Sequence, residues 1–255
     1  MRAGVVADVL LCEDVFACAA ELGFHGVEVV LGREGLGRPG ALAQLSAARE
    51  RSGLEVPSLI LGGHNVDGGI ADSDAAVAAR ASDEVLAAVE WSRLVGADIV
   101  LVPFFLAADL SDADAVERCA TAFAALCPSA ERAAVTLCFE GSLAAAQILE
   151  LAERIGSPAF GCHFDPANLV VAGLDPTAEA LTLGRLIRRV HLKDTRERRG
   201  DCHLGEGRVD FESCARALDA IGYAGWLVLE TPPGQPDEVA RDLNFARSAF
   251  PALRP

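Results

Sequence analysis

A chain of 255 residues, 51% of them apolar, holds enough material for one large α/β core. Its net charge of −15 at pH 7 disfavours non-specific attraction to nucleic acid or to an anionic membrane. No apolar run approaches the ~18 residues of a membrane span, so neither a nucleic-acid nor a membrane partner is expected.

The N-terminus, "MRAGVVADVLLCEDVF", lacks a basic start, a long apolar run and a small-residue cleavage site, and it meets acid at Asp8, Glu13 and Asp14. It reads as no signal peptide, and a cytoplasmic location is expected. From there the chain alternates apolar runs with Ala-rich amphipathic segments. Strands are predicted at Gly4–Val9, Gly26–Leu31, Glu55–Leu61, Asp98–Pro103, Ala134–Glu140, Ala159–Asp165, Arg189–Lys193 and Trp226–Glu230. Helices are predicted near 12–22, 39–52, 73–95, 112–131, 142–155, 176–188, 210–221 and 236–250.

Gly23, Gly53, Gly96, Gly156 and Gly222 fall just past a helix and just before a strand, where a left-handed residue closes the turn. "ELGFHGVEVV" and "AIGYAGWLVLE" are near copies, as if one helix–strand connection were used twice. Ser111 with Asp114 reads as a capping box. Eight strand–helix units in one undivided chain match a (β/α)₈ TIM barrel, a single domain over 1–255. A doubly wound open sheet is the runner-up, but the first strand–helix turn has no G-x-G-x-x-G. The eight cysteines form no C-x-x-C pair and read as small buried apolar residues in a reducing compartment.

In such a barrel, chemistry gathers at the C-terminal ends of the strands. Strand three leads to His64, strand four to Phe104 and Phe105, and strands five to eight to Glu140, Asp165, His191 and Glu230. Three ionised carboxylates converging on one pore repel unless a cation lies among them. Any one of the four residues alone reads as satisfied by its own salt bridge, but four on consecutive strands read as a site for one divalent metal. Three carboxylates and an imidazole suit Mn²⁺ best, with Mg²⁺, Co²⁺ or Zn²⁺ as alternatives. His163 shares a face with Asp165 but lies deeper, and reads as a packed core histidine.

"GFHGVEVV", "LCFEGS", "CHFDPANLVVAGLDP", "VHLKD", "LGEGRVDF" and "GYAGWLVLE" together resemble the sugar phosphate isomerase/epimerase superfamily, the xylose-isomerase-like TIM barrels. The resemblance covers nearly the whole chain. It implies that Glu140, Asp165, His191 and Glu230 bind the metal and that Glu140 and Glu230 also move protons. A metal that grips a carbonyl and its neighbouring hydroxyl acidifies the α-carbon and stabilises an enediolate. The implied activity is isomerisation or epimerisation of a small carbohydrate. The closest rival is a lyase of the inosose or dehydroshikimate dehydratase type. An apurinic-site endonuclease and a non-catalytic sugar-binding barrel rank below both.

Two departures stand out. Many relatives have His three residues after the metal Asp, where this chain has Asn168; an amide hydrogen-bonds a hydroxyl but shuttles no proton near neutral pH. The endonucleases need further histidines that strand four, with Pro103, Phe104 and Phe105, does not offer. Substrate contacts are expected from His64, Asn168, His203, Arg196 and Phe104, the last either as an apolar wall for a sugar or as core packing. The loop Thr195–Arg208 reads either as a cover over the substrate or as an exposed mobile segment. Lys193 and Asp194 read as a rim ion pair ahead of a substrate contact, and Glu206 as structural. No dedicated phosphate cradle is visible, so an unphosphorylated substrate is expected. The family implies a homodimer or homotetramer.

Overall fold

The computed structural model describes residues 1–32 and 36–253. Eight parallel strands close into a barrel in sequence order: β1 (Arg2–Val6), β2 (Gly26–Val30), β3 (Leu59–Ile60), β4 (Ile99–Phe104), β5 (Thr136–Gly141), β6 (Phe160–Phe164), β7 (Ile187–Leu192) and β8 (Trp226–Leu229). The longer helices between and after them are α1 (Val15–Leu22), α2 (Ala41–Ser52), α3 (Ala75–Val95), α4 (Ala113–Ala133), α5 (Ala145–Ile155), α6 (Pro176–Leu183), α7 (Phe211–Ala220) and α8 (Pro236–Ala249). This is the expected (β/α)₈ TIM barrel, and the open sheet is excluded by the β1–β8 pairing, which joins Arg2 to Trp226 and Val5 to Leu229. Among the described residues, no helix is long and apolar enough to cross a membrane.

The ring divides into two compact groups of segments. The first comprises residues 1–28, 52–55 and 163–255. In it, β1 pairs with β2 through Gly4↔Gly26 and Val6↔Glu28, and β7 pairs with β8 through Val190↔Leu227 and Leu192↔Leu229. Gly26 lies where a Cβ would come within 2.8 Å of the Trp226 ring and 2.7 Å of the Glu55 carbonyl, so only glycine fits beneath that indole. The second group comprises residues 29–51 and 56–162. Its β4 and β5 pair along their full length, from Ile99↔Thr136 to Phe104↔Gly141. There Phe104 stacks on Phe139 with ring centroids 5.0 Å apart, and Phe123 packs edge-on against Phe160 at 5.0 Å. All eight cysteines are free thiols, and six of them are buried.

The two near-copied connections are one motif. Phe24 N donates to Ala19 O, and Tyr223 N donates to Leu218 O. In each, the preceding glycine is left-handed, with φ 83° at Gly23 and 71° at Gly222. Helix α4 ends the same way without a glycine: Ala134 takes φ 55° and its N–H bonds Ala130 O and Glu131 O.

The expected boundaries shift where local chemistry intervenes. The third strand is a two-residue ladder rather than Glu55–Leu61, because Pro57 has no N–H to offer a neighbour; Glu55 makes only an isolated bridge to Gly26. The first strand ends at Val6 in a 3₁₀ turn over Ala7–Val9. Helix α6 stops at Leu183 because Gly184 turns the chain with φ 52°. The cap of α4 is Asp112, not Ser111: its carboxylate accepts from Ala115 N at 2.7 Å.

Ala134 is a direct test of this reading. A left-handed non-glycine residue costs roughly 1–2 kcal/mol, so Ala134→Gly should raise stability by about 1 kcal/mol. In a chain of this size that is about 2–4 °C in Tm, measured by thermal unfolding.

Candidate active site

Four residues at the C-terminal ends of β5 to β8 form one cluster. Glu140, Asp165, His191 and Glu230 each offer one ligand atom, and these atoms lie within 4.8 Å of one another. Two donors held by one ion at 2.0–2.2 Å are at most about 4.4 Å apart, so the spacing is close to one coordination sphere. Glu140 is buried near the end of β5. The remaining contacts belong to the strands β6, β7, β8 and β2.

Asp165 follows β6 in extended conformation, φ −128°, and caps the short helix Pro166–Val171. Its Oδ1 accepts from Ala167 N at 2.8 Å and from Asn168 N at 3.2 Å. Its Oδ2 accepts from Asn168 Nδ2 at 3.0 Å and lies 3.0 Å from Lys193 Nζ. A proline at the first helical position favours this turn, since it has no N–H to leave unpaired. Asp165 is thus gripped at both oxygens, one by backbone and the other by Asn168 and Lys193.

Along β7 and just past its end, Arg189, His191 and Lys193 alternate with period 2 and are all buried. His191 lies with Nε2 2.6 Å from Glu28 Oε2 and Nδ1 3.0 Å from Glu230 Oε2. Lys193 Nζ lies 2.5 Å from Glu230 Oε2, so one ammonium bridges Asp165 and Glu230. Burial alone would raise the Glu230 carboxyl, but the charges of Lys193 and His191 and their hydrogen bonds outweigh it and hold that group below the usual carboxylate range. His163 lies under His191 with ring centroids 3.9 Å apart. Burial, with the nearby charges of His191, Arg189 and Lys193, pushes its pKa well down. Its two ring nitrogens have no hydrogen-bond partner around them, and burial favours the neutral ring.

The donor set fits a divalent cation. It combines hard carboxylates with one borderline imidazole, and it already draws a positive charge, the Lys193 ammonium, against two of its carboxylates.

The residues expected to contact a substrate have the following surroundings. His64 is buried, with Nε2 3.3 Å from Glu84 of α3. Phe104 is buried in the aromatic stack with Phe139. His203 Nδ1 lies 2.7 Å from Asp242 of α8. Arg196 is exposed and paired with Glu206, donating both to its carboxylate at 3.0 Å and to its carbonyl at 3.1 Å. Asn168 stands beside Asp165, its amide nitrogen engaged there.

The segment after β7 is tied down. Asp194, fully buried, accepts from the backbone N–H of Thr195, Gly205, Gly207 and Val209 at 2.8–3.2 Å. A Cβ on Gly207 would collide with the Asp194 carboxylate, which accounts for the glycine in "LGEG". Asp201 accepts from Arg196 N, Glu197 N and Arg198 N, and these bonds lower its carboxyl to about 2.

Two residues of the site were not visible from strand ends: Glu28, in the middle of the β2 run "GVEVV", and Lys193 as a partner of Asp165 and Glu230. A single carboxylate among valines was the available signal for Glu28.

A family model described as Xylose isomerase-like TIM barrel matches residues 16–249. The chain belongs to that family. A 2-epi-5-epi-valiolone 7-phosphate 2-epimerase of Actinoplanes sp. is 32% identical over 247 residues, 91% of this chain and 87% of that protein. An L-ribulose-5-phosphate 3-epimerase UlaE of Salmonella paratyphi C is 29% identical over 260 residues, covering 92% and 89%. Among solved structures, an L-ribulose 3-epimerase superposes with TM-score 0.78 at 24% identity, covering 95% of this chain and 86% of that one. A D-tagatose 3-epimerase-like protein superposes with TM-score 0.85 at 19% identity, over 98% and 97%, a likeness of fold.

Two predictions follow from the tied loop. Replacing Asp194 by Ala removes an ionised acceptor of four N–H groups and should cost about 3 kcal/mol, with faster hydrogen exchange at Gly205, Gly207 and Val209. Asp201 has a folded pKa below its unfolded value near 3.9, so its contribution is complete above that value and lost as pH falls through about 2. Amide shifts of Arg196, Glu197 and Arg198 should move together across that window in an NMR titration, and should be flat there in Asp201→Asn.

Proposed function

We propose that the chain is a divalent-metal-dependent epimerase of a small polyhydroxy ketone, working by removal and return of a proton beside the carbonyl. The observation that carries this reading is the four-residue cluster, in which two glutamates stand with Asp165 and His191. The epimerase relatives support the same class. Glu140, Asp165, His191 and Glu230 would hold the ion, with Mn²⁺ the proposed metal. When bound, the ion supplies Lewis-acid polarisation of the substrate's carbonyl and adjacent hydroxyl.

The chain's own groups do the rest. One of Glu140 and Glu230 removes the α-proton, and the other delivers a proton from the opposite face of the same carbon. Lys193 and His191 hold Glu230 as a carboxylate, so it accepts a proton only when that hold is relaxed. Proton uptake there requires the Lys193 ammonium to turn from Glu230 towards a substrate oxygen, where it stabilises developing negative charge. Asn168 and the two backbone N–H groups keep Asp165 fixed while this happens.

The test is incubation of the Mn²⁺-loaded protein in D₂O with pentuloses, hexuloses and cyclic polyol ketones, each free and phosphorylated. One deuterium should enter at the carbon beside the carbonyl, with an inverted centre and an unchanged skeleton. Glu140→Gln and Glu230→Gln should each lower turnover by at least about 100-fold. Loss of water to an unsaturated or deoxy product would overturn the epimerase reading, as would full activity of either variant.

A further inference from the structure

Glu28 is a buried carboxylate beside the site that the proposed metal quartet and proton transfers leave unused. It stands between Val27 and Val29 on β2 and its side chain is fully buried. Nothing in the packing of a parallel strand calls for an ionised group at such a place, and burying one is costly unless it is paired. Its register partner is Val6 of β1. Across the interior it meets His191 of β7, 163 residues away, with Oε2 and Nε2 only 2.6 Å apart.

A neutral imidazole has one N–H and one lone pair, and the partner of one nitrogen decides which is which. A carboxylate has only lone pairs, so a 2.6 Å contact with Glu28 requires the proton to be on Nε2. Nδ1 lies 3.0 Å from Glu230 Oε2, inside the four-residue cluster, and without an ion it shares a hydrogen with that carboxylate; a cation entering the cluster takes the place of that hydrogen, while Nε2–H stays held by Glu28. The His163 ring packed against His191 at 3.9 Å blocks rotation about the ring axis.

We propose that Glu28 is a positioning residue that fixes His191 as its Nε2–H tautomer, aims Nδ1 at the metal and raises its basicity. It touches neither substrate nor ion. A negative partner behind a ligating imidazole strengthens the donor and holds its orientation, an effect worth about 10–100-fold in metal affinity. The proposal rests on the metal-dependent reading above, but the Glu28–His191 contact is tested apart from it.

The experiment uses protein labelled with ¹⁵N at histidine, of which there are only five. In the chelator-stripped wild type, long-range ¹H–¹⁵N correlation should show His191 Nε2 protonated, with a slowly exchanging, strongly downfield proton. With ¹¹³Cd²⁺ added, cadmium coupling should appear at Nδ1 and the Nε2 proton should remain. Calorimetric titration with Mn²⁺ should give affinity about 10–100-fold weaker for Glu28→Gln, with a larger loss for Glu28→Leu. An unprotonated Nε2 in the stripped wild type, or cadmium coupling at Nε2, would sink the assignment, and both need no variant to fold. Unchanged Mn²⁺ affinity in a folded Glu28→Gln would sink it as well. If no divalent ion binds the wild type while Nε2 remains protonated, the metal reading fails and the positioning of Nδ1 has no object.

Discussion

Everything at the mouth of the barrel depends on one charge balance, that between the basic face of β7 and the acids around it. A strand with period 2 sends alternate side chains the same way, and here those side chains are Arg189, His191 and Lys193. Facing them are Glu28, Asp165 and Glu230, whose carboxylates take the two ring nitrogens of His191 and the ammonium of Lys193 within 3.0 Å. Taking a carboxylate out of water costs several kcal/mol when nothing meets it; the basic side chains from β7 meet all three of these acids, and Asp165 has the backbone and Asn168 besides. The closed ladder matters because it makes the balance rigid: strands with no free edge hold their register, and register holds the charges in contact.

The same short stretch of chain organises what lies beyond the strand. In "HLKD", His191 and Lys193 turn into the site, and Asp194 turns into the loop that follows. Its carboxylate gathers four backbone N–H groups from Thr195 to Val209, and the chain can approach it that closely only because residue 207 is glycine. The loop therefore has a fixed base. His203 is anchored to Asp242 of α8 and Arg196 to Glu206, so these two basic side chains are engaged in holding the loop in place. A loop with so fixed a base begins one residue after Lys193, the group that bridges Asp165 and Glu230.

Much of this was legible in the sequence because barrels write their chemistry at strand ends. An acid or histidine directly after an apolar run is conspicuous, and that rule brings together Glu140, Asp165, His191 and Glu230, which the fold does place in one cluster. Glu28 escaped because it sits within a strand, and its meaning depends on a residue that only the closed ring brings near. Lys193 escaped for the same reason: a lysine after a strand reads as a rim charge until two carboxylates are found on either side of it. The helices His64–Asp67 and Pro166–Val171 are too short to establish a period, and Pro57 shortens β3 by an effect on the ladder, not on hydrophobic pattern. The cap at Asp112 shows a further limit. Ser111 and Asp112 are both good caps, and the choice between them is made by where α4 packs.

Asn168 gains a different meaning once its contacts are known. A histidine three residues after Asp165 could donate one proton and accept another, but an amide beside a carboxylate settles into donation, and Asn168 Nδ2 gives its hydrogen to Asp165 Oδ2. That bond and the Lys193 contact share one oxygen, while backbone N–H groups hold the other. Asp165 is therefore oriented without help from a substrate. Glu230 is different: a third of its side chain is exposed, and its fixed partners are the two basic groups of β7. Of these two carboxylates, Asp165 is held at both oxygens and Glu230 is free on its exposed side, a difference that matches the proposed function, in which one ligand only holds and the other also moves a proton.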